Sequence, residues 1–344
     1  MDRDGAIRDI LALHGSGRLA EAHNLAQEAS KVLATDGQLF QILHALRLEL
    51  MANRQNDLLT EMAQTMRREA QCTSQLLVRD ILRDPKYDDP KRLERFGYSV
   101  ASQNEEDGML MEVFRRIGTT SKTFFEFGVG NGRQNITLHA LLNQWRGWWI
   151  EINPPKVKYM RKYFAAALAS GQLVLDDTPI DAENIDAVCA KLGIPAEIDL
   201  LSIDIDGNDY HVFKAMKAVQ ARVVVLEYNP LYPPPMSLVG AYDKTYSYTG
   251  DSYIGASLSP LTRLAEEKGY QLVGTSISGI NAIFVRRDLV GDKFASPATP
   301  EHLCNAPRYQ LQLSGWFRGW RQCQFRPHDS GVTRGRISFF PCDG

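Results

Sequence analysis

The run Thr123 to Phe127 opens onto glycines at 128, 130 and 132, and the helical pattern Ile136, Leu138, Ala140, Leu141 and Leu142 follows. A strand that turns through glycines into a helix offers backbone N–H groups and a helix N-terminus to a ligand. The nicotinamide fingerprint G-x-G-x-x-G needs glycine at position 133, which is Arg133; the spacing is instead E-x-G-x-G-x-G, through Glu126, Gly128, Gly130 and Gly132. About twenty residues past the loop, Trp148-Trp-Ile-Glu-Ile carries Glu151, placed where a carboxylate can accept both hydroxyls of a ribose. A third apolar run ends at Asp176-Asp177, a fourth at Asp204 and Asp206, and a fifth at Glu227 and Asn229. In an open α/β sheet the crevice lies beyond the carboxyl ends of the strands, so these oxygens should gather along one edge.

Two chemistries fit that edge. Clustered carboxylates with an amide oxygen suit a hard divalent cation such as Mg²⁺, with Asp204, Asp206, Glu227 and Asn229 as its ligands, and such an ion lowers the pKa of a bound hydroxyl. Strand alternation opposes this, because it sends Asp204 and Asp206 to opposite faces, one to the site and one to cap the next helix. Without a metal, Asp204 or His211 is the candidate general base.

The elements that must position these groups alternate along the chain. Strands are expected at Thr123–Phe127, Trp148–Ile152, Leu173–Leu175, Asp199–Ile205, Val223–Tyr228, Leu272–Ser276 and Ala282–Arg286, with helical stretches between. This pattern predicts a Rossmann-like, doubly wound α/β sheet of seven strands whose last two form an antiparallel hairpin. Before it, Ile7 to about Leu82 places apolar residues at helical spacing without a proline, which predicts an N-terminal all-α domain. Gly15 and Gly17 should separate its first two helices, and Asn53 to Asp57 should break a later pair. The segments beginning at Gly17 and Asn53 lie about 36 residues apart, close to a tetratricopeptide period. The expected division is a helical domain over 1–95, a catalytic domain over 96–292 and an Arg/aromatic extension over 293–344, with the charged, Pro-containing stretch Arg79 to Gly97 as the boundary loop. The stretch Leu231 to Tyr253, rich in proline and tyrosine, reads either as a substrate lid or as a packed loop.

Several phrases resemble class I S-adenosylmethionine (SAM)-dependent methyltransferases, and more narrowly their FkbM-like branch. They are Ser102-Gln-Asn-Glu-Glu-Asp-Gly108, FFEFGVGNGRQN from Phe124 to Asn135, LLSIDIDGNDY from Leu200 to Tyr210, GASLSPLTRLAEEKGYQLVG from Gly255 to Gly274, and NAIFVRRDL from Asn281 to Leu289. The resemblance runs from about Gly97 to Leu289. It implies SAM as cofactor, held by Glu126, Gly128, Gly130, Gly132 and Asn135 around its amino-acid part, by Glu151 at the ribose and by Asp177 at the adenine, with Gln103 and Asp107 as further cofactor-side contacts. It also implies an O-methyltransferase acting on a hydroxyl of a sugar, glycan or natural product. Many members have Lys-Ile-Asp-x-Glu-Gly at the fourth strand, where this chain has Ser202-Ile-Asp-Ile-Asp-Gly207. Asn229-Pro230-Leu231-Tyr232 is similar to the N-P-P-Y signature of nucleic-acid amino-methyltransferases, but it follows the fifth strand rather than the fourth. The competing classes are a SAM-fold scaffold working through its helical N-terminus, a nucleic-acid amino-methyltransferase, and a metal-dependent oxygenase.

Composition narrows the field. A formal net charge of -2 gives no global field for polyanions, which argues against nucleic acid as the main partner. No apolar run approaches the length of a membrane span and no signal-peptide pattern opens the chain, so the expected setting is cytoplasmic, without a membrane partner. Five scattered cysteines without a CxxC pair point to free thiols. The expected partners are a small-molecule or glycan acceptor and, through the N-terminal helices, a second copy of the chain or another protein. Between Arg308 and Arg336, six arginines interleave with Trp316, Phe317, Trp320 and Phe325, a segment suited either to surface packing or to an acidic substrate.

Overall fold

The computed structural model describes residues 2–33, 36–246, 255–308, 311 and 339–341. The chain divides into two compact units, at Thr73/Ser74. No helix among the described residues is long and apolar enough to cross a membrane.

The first unit holds α1 (Arg3–Gly15), α2 (Leu19–Val32) and most of α3 (Gly37–Ile81). Gly17, at φ +79°, makes the expected turn between the first two helices. Ile7, Ile10, Ala22, Ala26, Ala29, Leu39 and Leu46 form a small core. The Asp36 carboxylate accepts from Leu39 N (2.8 Å) and so caps the start of α3. The break expected at Asn53 to Asp57 does not occur: α3 runs through it as one helix of 45 residues. Neither Gly nor Pro lies between Gly37 and Pro85, and isolated Asn or Asp residues cost a helix too little to end it.

After the end of α3, the second unit holds α4 (Glu106–Ile117) and a sheet of β1 (Thr123–Phe127), β2 (Arg146–Ile150), β3 (Leu173–Asp176), β4 (Glu197–Ile203), β5 (Gln220–Glu227), β7 (Tyr270–Thr275) and β8 (Asn281–Arg286). Between these strands lie α5 (Leu138–Leu142), α6 (Pro154–Tyr163), α7 (Ala165–Ala169), α8 (Ile185–Lys191), α9 (Asp209–Ala215), the short strand β6 (Leu238–Gly240) and α10 (Leu258–Glu267). Then follow α11 (Arg287–Val290), α12 (Pro300–Leu303) and β9 (Phe339–Pro341), which pairs with β6. The strand order is β3-β2-β1-β4-β5-β8-β7, parallel through β5 and antiparallel at β8. The seven expected strands are present, each within a few residues of its predicted ends.

Side chains alternate across this sheet. Phe124, Leu200, Val223, Val225, Ile283 and Val285 pack with Met109, Val113 and Phe114 of α4 on one face, together with α5 and α6. Phe125, Leu201, Val224 and Phe284 pack with α8, α9 and α10 on the other. Burial of every residue of β1 accounts for its continuous apolar run with one acid, Glu126.

The catalytic unit begins earlier than position 96. Tyr87, Arg92 and Leu93 are buried, and Arg92 pairs with Glu94 at 2.8 Å with both side chains out of solvent. The Tyr87 hydroxyl donates to Asn305 Oδ1 (2.6 Å), and Asn305 Nδ2 donates to Glu94 and to Thr275. A charged, Pro-containing stretch reads as a linker in sequence, but here two of its charges, Arg92 and Glu94, neutralise each other inside the fold. The same contacts draw residues 300–305 into the unit, so the expected boundary at 293 is not a structural one. Cys72, Cys189 and Cys304 are free thiols, and Cys323 and Cys342 fall outside the described residues. Of the arginines and aromatics between Arg308 and Arg336, only Arg308 is described; it donates to Ile277 O (2.7 Å).

Candidate functional site

Strand order reverses at β1, which lies between β2 and β4, so the crevice opens beyond the carboxyl ends of β1 and β4. Gly128, Gly130 and Gly132 all have positive φ (84°, 61° and 73°). A Cβ on Gly128 would lie 1.5 Å from Asp204 O, so glycine there lets the β1 and β4 ends touch. A Cβ on Gly132 would meet Met160, Phe164 and Trp149 at 2.9 Å, which seats the loop on α6. Gly130 differs, because nothing lies within 4 Å of the Cβ position: its main chain faces open space that a ligand can enter.

Glu126 anchors the segment from Asn135 to Thr137, just past the loop. One oxygen accepts from Asn135 Nδ2 (2.5 Å), Thr137 N (3.0 Å) and Thr137 Oγ1 (2.6 Å), the other from Ile136 N (3.0 Å). Trp149 Nε1 donates to the same Thr137 hydroxyl (2.7 Å), so the hydroxyl proton is directed at Glu126. Burial pushes this carboxyl above its ordinary range while the Thr137 and Asn135 donors pull against it. Glu126 thus shapes the loop from beneath. Asn135 spends its amide nitrogen on that carboxylate, and its Oδ1 has no protein partner.

Glu151 follows β2. Its Oε1 accepts from Asn153 N (2.9 Å), and Oε2 lies 3.8 Å from Lys156 Nζ, which leaves acceptor capacity for a ribose. Asn153 caps α6 through Lys156 N (3.2 Å), with proline at the first helical position, as the Asn-Pro-Pro signal predicts. Asp177 is exposed after β3, whereas its neighbour Asp176 binds Thr178 N (2.8 Å) and Lys191 (3.1 Å).

Beyond β4 and β5, oxygens of Asp204, Asp206 and Glu227 lie within 4.8 Å of one another. Alternation does not separate the two aspartates, because β4 ends at Ile203 and Asp206 adopts φ +59°. Asp209 sets this turn by accepting from Ile205 N (2.8 Å) and Gly207 N (2.9 Å). Burial raises its carboxyl to about 6. Asp204 and Glu227 share a hydrogen bond; burial, then the neighbouring carboxylates, hold both well above the ordinary range. Asn229 is buried, and its Oδ1 accepts from Leu231 N (3.1 Å), so it is occupied in holding the following turn.

His211 sits at the start of α9 with Nε2 2.7 Å from Gly240 O, which fixes Nε2 as the protonated nitrogen. Its ring meets Tyr242 (5.3 Å between centroids), and burial lowers its pKa. Asn208 Nδ2 donates to Asp243 O (2.9 Å), and the Tyr246 ring covers Gly207. The described part of the tyrosine-rich stretch is therefore strapped over the turn that carries Asp206; Tyr248 and Tyr253 fall outside the described residues.

The phrase before α4 is held by three successive acids. Asp107 Oδ2 accepts from Val100 N (2.7 Å), Ala101 N (2.6 Å) and Ser102 N (2.9 Å). Glu106 accepts from Asn104 Nδ2 (3.0 Å) and Asn281 Nδ2 (2.7 Å). Glu105 accepts from Ile277 N and from Ser278 N (3.3 Å), and burial with the adjacent Glu106 raises its carboxyl to about 8. Asn281 pairs with Glu227 in the sheet, so the loop is moored beside the acid pair. Gln103 is left exposed on it. Asp107 serves the loop's own backbone through Oδ2. Glu105, Glu106, Asn281 and Asp209 were not among the sequence-derived site residues, although three consecutive acids at a helix start were a visible signal.

Residues 117–237, about a third of the chain, match the family model of the methyltransferase FkbM domain. No curated protein matches the chain. Among solved structures, the N-terminal domain of EvdMO1 with SAH bound is similar at 15% identity, covering 61% of this chain and 96% of that one, with a TM-score of 0.37. The CcbJ methyltransferase from Streptomyces caelestis is similar at 12% identity, over 57% and 96%, with a TM-score of 0.36. Magnesium protoporphyrin IX methyltransferase from Synechocystis PCC 6803 with bound SAM is similar at 11% identity, over 62% and 97%, with a TM-score of 0.35. Likeness at this level adds no argument to the sheet order and motifs already described. With the glycine loop and the ordered strand-end acids, the match over residues 117–237 makes that part of the chain similar to the methyltransferase FkbM domain, and the chain a SAM-dependent methyltransferase.

Proposed function

We propose that the enzyme transfers the SAM methyl group to a hydroxyl of a sugar, glycan or natural product. The observation that carries this reading is the acid group Asp204, Asp206 and Glu227 at the ends of β4 and β5, beside the crevice. An aliphatic hydroxyl is a poor nucleophile until its proton is removed, whereas a neutral amine needs no such help, so clustered acids beside the transfer site suit an oxygen acceptor. SAM is held in this account by the open main chain at Gly130, by Glu151 at the ribose and by the loop moored through Glu105, Glu106 and Asp107. Asp204 then takes the hydroxyl proton as the oxygen attacks the methyl carbon and the sulfonium leaves as a neutral thioether.

The donor set also fits a divalent cation. Asp204, Asp206 and Glu227 offer hard oxygen ligands, and like charges so close call for either a proton or a cation between them. When bound, such an ion would lower the pKa of an acceptor hydroxyl. Asn229 is the weakest of the four proposed ligands because its side-chain oxygen already accepts from Leu231 N.

The test is methyl transfer from labelled SAM to a panel of sugar, glycan and phenolic hydroxyls, with parallel amine acceptors, in EDTA and in Mg²⁺. Hydroxyl methylation lost in Asp204→Asn supports the reading. Methylation confined to amines would refute it, and a rate equal in EDTA and Mg²⁺ would remove the cation while leaving Asp204 as base.

A further inference from the structure

Every residue of α3 from Met51 to Met66 is exposed, on whichever side of the helix it lies. The core of the first unit takes Leu39 and Leu46 from α3 and ends there. An isolated helical stretch of this length is marginal in water, since most helix stability in proteins comes from packing one apolar face. This stretch has such a face: Leu48, Met51, Leu58 and Met62 follow a spacing of three and four through Gln55, with Leu59 and Met66 alongside.

We propose that this seam pairs, antiparallel, with the same seam of a second copy of the chain. The occupant is argued from charge. Arg54 and Glu61 each stand one residue before a seam position, on the same flank, and both are exposed. An antiparallel pair that sets Gln55 against Leu58 of the copy brings Arg54 opposite Glu61 of the copy. The two-fold axis repeats the contact, so one helix supplies both halves of two ion pairs. A parallel pair would instead set Arg54 beside Leu59 and Glu61 beside Met66, where neither finds an opposite charge. The antiparallel arrangement covers the exposed methionines and leucines and places polar Gln55 at the interface rather than in a core.

The full chain tests this in solution by light scattering and sedimentation. The expected mass is twice the 38.7 kDa of one chain. Arg54→Glu and Glu61→Arg should each weaken dimerisation about tenfold or more, and the double variant should restore it, because the swap regenerates both pairs. Both side chains are exposed, so circular dichroism of the variants should match the parent. A single-chain mass up to about 100 µM would overturn the proposal, since mass action populates any dimer of moderate affinity there. A dimer indifferent to both swaps would overturn it equally.

Discussion

Replacing Glu126 with Gln keeps the shape and removes one acceptor. In the structure one carboxylate oxygen takes three donors, from Asn135 and Thr137, and the other takes Ile136 N. A glutamine would keep its oxygen toward the three donors and turn its NH₂ toward Ile136 N, which sets donor against donor. A hydrogen bond to a charged group contributes about 1.5–3 kcal/mol, and a buried donor left unpaired costs about 1–3 kcal/mol. Relief from burying a charge offsets part of this, so a loss of about 3 kcal/mol is expected. For a unit of this size that is a fall in Tm of about 6–12 °C. The 135–137 segment follows directly on the glycine loop, so SAM should bind about tenfold more weakly, equivalent to about 1.4 kcal/mol. Thermal unfolding and SAM titration of Glu126→Gln check both figures. Parental Tm and parental affinity together would refute the role assigned to Glu126.

Further substitutions probe neighbouring parts of the site. Gly128→Ala puts a methyl 1.5 Å from Asp204 O on a backbone at φ +84° and should cost more than about 4 kcal/mol, seen as lost soluble yield. Gly130→Ala, with open space around the new carbon, should cost only about 1 kcal/mol in urea unfolding; equal losses at the two positions would contradict the geometry. Glu105, whose carboxyl is raised from 4.5 to about 8, is protonated when folded and ionised when unfolded between those values. Stability should therefore fall as pH rises through that window, by at most about 1.4 kcal/mol per unit, and Glu105→Gln should flatten the Tm profile between pH 5 and 8. A profile unchanged by the substitution would show that Glu105 does not carry that proton. Asp204→Asn should lower kcat by about 10²-fold or more, whereas His211→Asn, its ring given to Gly240 O, should stay within about tenfold of the parent. The reverse order in single-turnover rates would make His211 the base.

The sheet was legible because its signals are local. Alternating apolar runs place all seven strands, and the switch point follows from the glycine loop after the first. Glu126 was legible from the glycine motif and Glu151 as a strand-end acid. What the pattern hid was direction. Strand alternation put Asp204 and Asp206 on opposite faces, but the left-handed backbone at Asp206 brings them together. Long-range partners were also hidden. Glu106 meets Asn281 and Arg92 meets His302 O (3.2 Å) across most of the sequence, so residues that read as a linker or a solvated helix start are interior. His211 lay near enough to the acids to suggest a base, yet its Nε2 is committed to Gly240 O, a contact sequence spacing cannot reveal.

The crevice at the β1 switch point should hold SAM through the open main chain at Gly130 and the carboxylate of Glu151. Isothermal titration of the full chain with SAM and with S-adenosylhomocysteine tests it most directly, alongside Gly130→Arg and Glu151→Ala. Both ligands should bind with micromolar affinity, abolished in Gly130→Arg and weakened at least about tenfold in Glu151→Ala, the loss of a charge-assisted bond to the ribose. Binding that survives both substitutions unchanged, or no binding to the parent protein, would contradict it.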